Sequence, residues 1–231
     1  MPTVEHIGTP SEANTTIGGV PIIHYFDFQS RGRGQVVRLL FEDAGIAYTD
    51  VRYSFGEYPE VQSTHPILSQ NPTKSVPIIE LDGKLLTQSY AILRHFARVL
   101  GAYDGKNEEE KYFADVICDI VVDWRTLFLA AFFSQNKSTD LPKHQQTTQL
   151  RFLHAIEQHL TTNPLSVHGP FVIGSSITYA DLAVYQILHD EELVHHGNKG
   201  LEGYPRLAKL AAAVEERPGV KAFLESSRYR G

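Results

Sequence analysis

The period of the apolar residues changes once along this chain of 231 residues, and that change limits the fold more than any other feature. Up to residue 103, short β-rich runs alternate with helical stretches; from Glu108 onward only helical spacing is found. Residues 20–26 form an apolar run suited to a buried strand. Val36, Val37, Leu39, Leu40 and Ala44 then recur at helical spacing, and Gly45 suits the stop. A strand is expected over 48–53, irregular chain over 54–75 with its three prolines, and a hairpin of strands 76–81 and 84–87 turning at Asp82-Gly83. A helix over 91–99 closes this first unit. In the second, Tyr112, Phe113, Val116, Ile117, Ile120, Val121, Trp124, Leu127, Phe128 and Ala131 trace one apolar stripe. Further helices are expected over 144–160, 178–195, 205–215 and 219–226. The chain thus divides into an α/β domain over 20–103 and an all-α domain over 108–231. Residues 1–19, polar and without periodicity, read as a flexible extension.

Composition removes several classes of function. Hydrophobic residues at 42% and charged residues at 21% describe a globular chain. A net charge of −6 without a basic tract is unsuited to gripping a phosphate backbone, so no nucleic-acid partner is expected. The single cysteine, Cys118, excludes an internal disulfide and a cysteine-rich zinc site. The first residues lack a secretory pattern, and the apolar stretch 116–133 is broken by Asp119, Asp123 and Arg125, so neither export nor a membrane span is expected. A cytoplasmic protein is the resulting expectation, in which the sequons at Asn14 and Asn136 carry no glycan.

Some residues have types and places that suit chemistry. Tyr25 lies where a strand gives way to a loop and a helix, a position at which open α/β units display functional groups. Its hydroxyl there can donate to an anion, although a core aromatic of an apolar strand is the plainer reading. Val76-Pro77 opens a strand with one N–H withheld from the ladder, leaving nearby backbone groups able to pair with a peptide-like ligand. Gln88-Ser89 stands at a helix start, where serine is an ordinary N-cap and where unpaired N–H groups also hold carboxylates. Asp115, Asp119 and Asp123 stack at i, i+4 and i+8, a spacing that suits either a facing cation or a plain solvated helix face. His189, Glu192 and His196 have zinc-compatible spacing, but a solvated polar face is the stronger reading, and no metal is expected.

Taken together, Tyr25, Phe26, Asp27 and Phe28, then Arg31-Gly32-Arg33, Ser75-Val76-Pro77, Gln88-Ser89 and an all-helical second half resemble a cytosolic glutathione S-transferase of the tyrosine type (sigma, pi and mu classes). The likeness runs from residue 20 to the end. Ile177 and Thr178 to Asp181 match the hydrophobic staple and capping box that the family carries in its core helix. The resemblance implies a thioredoxin-like first domain and an enzyme that conjugates glutathione, as co-substrate, to small apolar electrophiles. Tyr25 would hydrogen-bond the glutathione sulfur. Val76, beside a cis Pro77, would pair with the cysteinyl unit, and Gln88 and Ser89 would receive the γ-glutamyl carboxylate. Arg33, Tyr58 and Gln62 would lie around the glycine end, with Ser75 beside the Val76 segment. Asp123 from a partner subunit of a homodimer would approach the γ-glutamyl amine, and Phe26, Phe28 and Phe133 would form the acceptor pocket.

This chain also departs from the family pattern. The loop after Tyr25 is about two residues longer, through Gln29 and Ser30. Tyr58 stands where tryptophan is common, Gln62 where lysine is, and Lys74-Ser75 where Gly-Gln is usual. Thr73 replaces an aromatic that some classes insert into their partner, and Phe133 replaces the tyrosine of the pi class. The same site on the same scaffold also suits a glutathione-dependent isomerase of the prostaglandin type, or a non-catalytic binding or structural protein.

Overall fold

The computed structural model describes residues 2–194 and 199–231, which cluster into two compact units: 1–102 with 217–231, and 103–216. In the first unit the elements run β1 (Thr3–Ile7), α1 (Glu12–Ile17), β2 (Ile22–Phe26), α2 (Gly32–Asp43), β3 (Tyr48–Tyr53), α3 (Tyr58–Thr64), β4 (Ile78–Leu81), β5 (Lys84–Thr87) and α4 (Ser89–Leu100). The sheet order is β1-β3-β2-β4-β5, with β2 and β3 parallel and every other neighbour antiparallel. The β2–α2–β3 crossover followed by an antiparallel β4–β5 hairpin and α4 is the thioredoxin-like arrangement.

Two expectations fail at the ends of this unit. The expected flexible extension is ordered from residue 3: β1 pairs antiparallel with β3, from Thr3 opposite Arg52 to Ile7 opposite Tyr48. Most of its side chains are exposed, so its order comes from the ladder and leaves no apolar run to read. Helix α1 has a capping box between Ser11 and Asn14 and ends on Gly18 at φ 92°. Asn14 is buried and ties this helix to the loop before β3. Its side chain accepts from Ala47 N–H at 2.9 Å and donates to the carbonyls of Ala47 at 2.8 Å and Gly19 at 3.0 Å. At the other end, residues 217–231 belong with the first unit rather than with the helical one. Helix α10 (Pro218–Leu224) lies on α2, and Arg217 and Arg228 pair with Asp43 and Glu42 of that helix. The stretch 54–75 is also more ordered than expected, holding α3 and a 3-10 turn, Leu68–Gln70.

Among its described residues the second unit is built on helices: α5 (Glu108–Phe132), α6 (Lys137–His144), α7 (Leu150–Thr162), α8 (Tyr179–Asp190) and α9 (Pro205–Glu215), with two isolated bridges in the loop before α8. All twelve residues of α8 are buried, as in a helix packed on every side. Its start carries the expected capping box, with Asp181 accepting from Thr178 N–H at 2.7 Å and Thr178 Oγ1 at 2.8 Å. On α5 the stripe is narrower than the sequence suggests, because Tyr112 and Leu127 are exposed.

The helix expected from residue 144 instead begins at Lys137 and passes through a π-helical turn, Gln145–Gln149. His144 and Gln149 both reach the buried carboxylate of Glu191, at 2.9 and 2.6 Å. Five residues apart, they share one face only in a turn of that period. His189 and Asp190 are buried too, whereas Glu192 is exposed, so only part of the expected solvated face meets water. His196 lies outside the described residues.

Candidate functional site

Strand register gathers one set of site residues at one end of the sheet. His24 of β2 faces Ile78 of β4, and Ile78 faces Thr87 of β5. Tyr25, Val76-Pro77 and Gln88-Ser89 are the next residues outward on three neighbouring strands. Val76-Pro77 is a cis peptide bond, as the resemblance implied, and Val76 precedes the ladder.

Tyr25 is a core residue by its ring and a helix-terminus residue by its hydroxyl. The ring is 7% exposed and packs in a cluster with Val51, Tyr53, Tyr58, Leu68, Val76 and Ile78. Its hydroxyl accepts the Arg33 N–H at 2.9 Å, at the first turn of α2. That approach requires two glycines. A Cβ on Gly34 would lie 2.3 Å from the Tyr25 ring, and one on Gly32, where φ is +80°, would lie 2.5 Å from the hydroxyl. Their role is to admit the tyrosine.

A buried ion cluster underlies the same ring. The Arg38 guanidinium carbon is 5.6 Å from the Tyr25 ring centroid and forms a two-pronged pair with Asp50, at 3.0 and 2.8 Å. Arg52 donates to the same carboxylate at 2.8 Å. Arg52 also lies 3.6 Å from Asp27, so Arg38 is the guanidinium that faces the tyrosine ring. Arg33 is a further cation: half-buried, its guanidinium has no hydrogen-bond or ion-pair partner among the described residues. This cluster was not legible in the sequence, because its members stand on α2 and β3 without local spacing.

Gln88 adopts φ 68°, an uncommon conformation for a residue with a side chain. It is Gln88, not Ser89, that occupies the N-cap position of α4, and its side chain makes no cap. Ser89 is the first helical residue, buried, with no hydrogen bond from its hydroxyl among the described residues. The N-cap reading of Ser89 is therefore corrected. Tyr58 and Gln62 are buried on α3, and the Tyr58 hydroxyl donates to Lys74 O at 3.4 Å, next to Ser75. Burial raises the Tyr58 pKa, so its hydroxyl keeps its proton at neutral pH. Ser75 shares a 2.7 Å hydroxyl contact with Thr73.

The aromatic side of the site contains one residue that the sequence reading missed. Phe26 stacks on Phe55 at 4.5 Å between centroids and meets Tyr58 edge-on at 4.9 Å, while Phe28 approaches Phe55 at 5.9 Å. Phe55 is 52% exposed, a large apolar surface beside Tyr25's neighbours. It fell within the stretch read as irregular, where no periodicity marks a face. Asp123 and Phe133 belong to the second unit, and both are exposed there. The acidic stripe is broken, since Asp115 accepts the Tyr179 hydroxyl at 2.7 Å.

Comparison with known proteins follows these lines. The glutathione S-transferase N-terminal domain matches residues 21–98, and the glutathione S-transferase C-terminal domain matches residues 122–227. Glutathione S-transferase P 10 of Caenorhabditis elegans is 30% identical over 215 residues, covering 90% of this chain and 92% of its own. S-crystallin SL11 of Nototodarus sloanii is 29% identical over 209 residues, covering 89% and 97%. The solved Pi-class glutathione S-transferase of Onchocerca volvulus shares the fold, with a TM-score of 0.76 at 24% identity over 89% of this chain and 92% of that one. The chain belongs to the glutathione S-transferase family.

Proposed function

We propose that this protein is a glutathione transferase in which the Tyr25 hydroxyl donates to the glutathione sulfur and holds it as the thiolate. The observation that carries this reading is the Arg33 N–H bond to the Tyr25 oxygen at 2.9 Å. A hydroxyl that accepts one hydrogen bond is polarised and becomes a stronger donor for the next. A free thiol has a pKa of ~8.5, and lowering it by ~2 units takes about 2.7 kcal/mol of differential stabilisation. One charge-assisted hydrogen bond, with the Arg38 guanidinium behind the ring, is of that order.

The other roles follow the chemistry of each position. Val76, outside the ladder, offers its main chain to the cysteinyl unit. Gln88, Ser89 and the first-turn amides of α4 take the γ-glutamyl carboxylate, and the unengaged Ser89 hydroxyl supports that role. Arg33, Tyr58, Gln62 and Ser75 surround the glycine end, where the Arg33 guanidinium meets the second carboxylate. Phe26, Phe28 and Phe133, with Phe55 added, present apolar surface to the electrophile, which the thiolate attacks at carbon. The partner subunit's Asp123 approaches the γ-glutamyl amine in a homodimer. A cytoplasmic, detoxifying role agrees with this chemistry; no helix among the described residues is long and apolar enough to cross a membrane.

The likeness to an S-crystallin keeps a non-catalytic reading in view. Passage over immobilised glutathione, followed by a turnover assay with a chloro-nitroaromatic, separates the two. Retention with turnover is the expected result. Retention without turnover would favour a binding protein or an isomerase, and no retention would overturn the proposal.

A further inference from the structure

The loop 27–31 connects Tyr25 to the helix start that holds its hydroxyl, and it is the loop with two extra residues. Gln29 sits at φ 50°, and the loop's own closing bond is Arg31 N–H to Phe28 O at 3.1 Å. The sheet supplies three further ties: Asp27 N–H to Tyr53 O at 2.7 Å, Arg52 to Gln29 O at 3.1 Å, and Arg52 to the Asp27 carboxylate at 3.6 Å. Three more come from a single residue two hundred positions away. The main-chain carbonyl of Arg230 accepts the Ser30 N–H at 3.0 Å, its main-chain N–H donates to Ser30 Oγ at 2.9 Å, and its guanidinium pairs with Asp27 at 2.5 Å.

We infer that Arg230 is a positioning residue for the Tyr25 hydroxyl, acting through Ser30 and Asp27 on the loop that presents the Arg33 N–H. This inference rests on the proposed transferase reading. The exposed Asp27–Arg230 ion pair alone would matter little. What gives it leverage is Ser30, only 1% exposed, whose N–H has no route to water in its present place. If Arg230 withdraws, the loop must move to satisfy that donor. Gly32 and Arg33 follow directly, and Gly32 already lies against the Tyr25 oxygen. Thiolate stabilisation by a single donor is sensitive to displacements on the order of 1 Å.

The test is a pH titration of the ultraviolet thiolate absorbance of the glutathione complex, run beside thermal melting. Arg230→Glu, which sets like charge against Asp27, is expected to raise the thiolate midpoint by about half to one unit. It should lower kcat/KM about three- to tenfold below the midpoint, with activity converging on wild type above it. Arg230→Lys should restore most of both. Ser30→Ala, which removes the acceptor for the Arg230 N–H, should shift the midpoint in the same direction by less, and it decides the matter if Arg230→Glu does not fold. A purely structural role would lower the melting temperature and leave the midpoint in place, and that result overturns the inference alone. A wild type with no thiolate absorbance overturns the transferase reading itself, and the inference with it.

Discussion

Serine at a helix start ordinarily caps it, and Ser89 does not, because Gln88 occupies the cap position of α4. Its truncation therefore removes no structural bond. Ser89→Ala is expected to leave the melting temperature within about one degree, the range of a neutral change. It should raise the glutathione KM about tenfold with little effect on kcat, since a bond to the γ-glutamyl end is the same in ground and transition states. A fall in melting temperature with unchanged KM would return Ser89 to a structural role. His24 shows the opposite case, a buried group with no part in the chemistry. Burial first, and the neighbouring His65 second, lower its pKa to about 4. Between about pH 4 and 6.5 the unfolded chain binds the proton that folded His24 refuses, so stability rises with pH through that window and is fully present above it. Two and a half units correspond to about 3 kcal/mol. His24→Asn, which keeps a partner for the Tyr53 hydroxyl, should flatten the acid side of a denaturation series, and an unchanged slope would contradict the assignment. At this scale, chemical type was legible and surroundings were not. Tyr25 stood out by its place after a strand, whereas Gly34 gave no sign of the ring that lies on it.

At the scale of elements, the strands and helices with strong periodicity emerge within a residue or two, as β3 and α9 do. The failures share a physical cause: order supplied by distant partners. Strand β1 exists because β3 offers a free edge, and the π turn after α6 exists because Glu191 draws two side chains to one face. The cues at the first of these were present locally, in Ser11, Asn14 and Gly18 around α1. Asn14→Ala should destabilise the protein by about 3 kcal/mol, because it strands the Ala47 N–H and two carbonyls in a buried place. Chemical denaturation measures this directly. A change below about 0.5 kcal/mol, the range of an ordinary surface substitution, would mean that β1 and α1 are dispensable.

For the whole molecule, the two-unit division was readable from the change of period, but the return of 217–231 to the first unit was not. That return depends on Arg217, Arg228 and Arg230 finding carboxylates some two hundred residues earlier. The proposed homodimer is tested at Asp123. If each glutathione site borrows this residue from a second copy, light scattering will give twice the chain mass, with an isologous interface. Asp123→Asn will then raise the glutathione KM without dissociating the dimer. Full activity at the mass of a single chain would refute the borrowed aspartate.

The central claim is that the Tyr25 hydroxyl holds the thiolate. Its most direct test is the pH titration of thiolate absorbance in the glutathione complex of wild type and Tyr25→Phe, paired with kcat at saturating substrate. The account predicts a wild-type midpoint about two units below the ~8.5 of a free thiol. In Tyr25→Phe the midpoint should return most of the way, kcat should fall by about one to three decades, and glutathione affinity should stay within a few fold. Equal midpoints in the two proteins, with kcat unchanged, would contradict it.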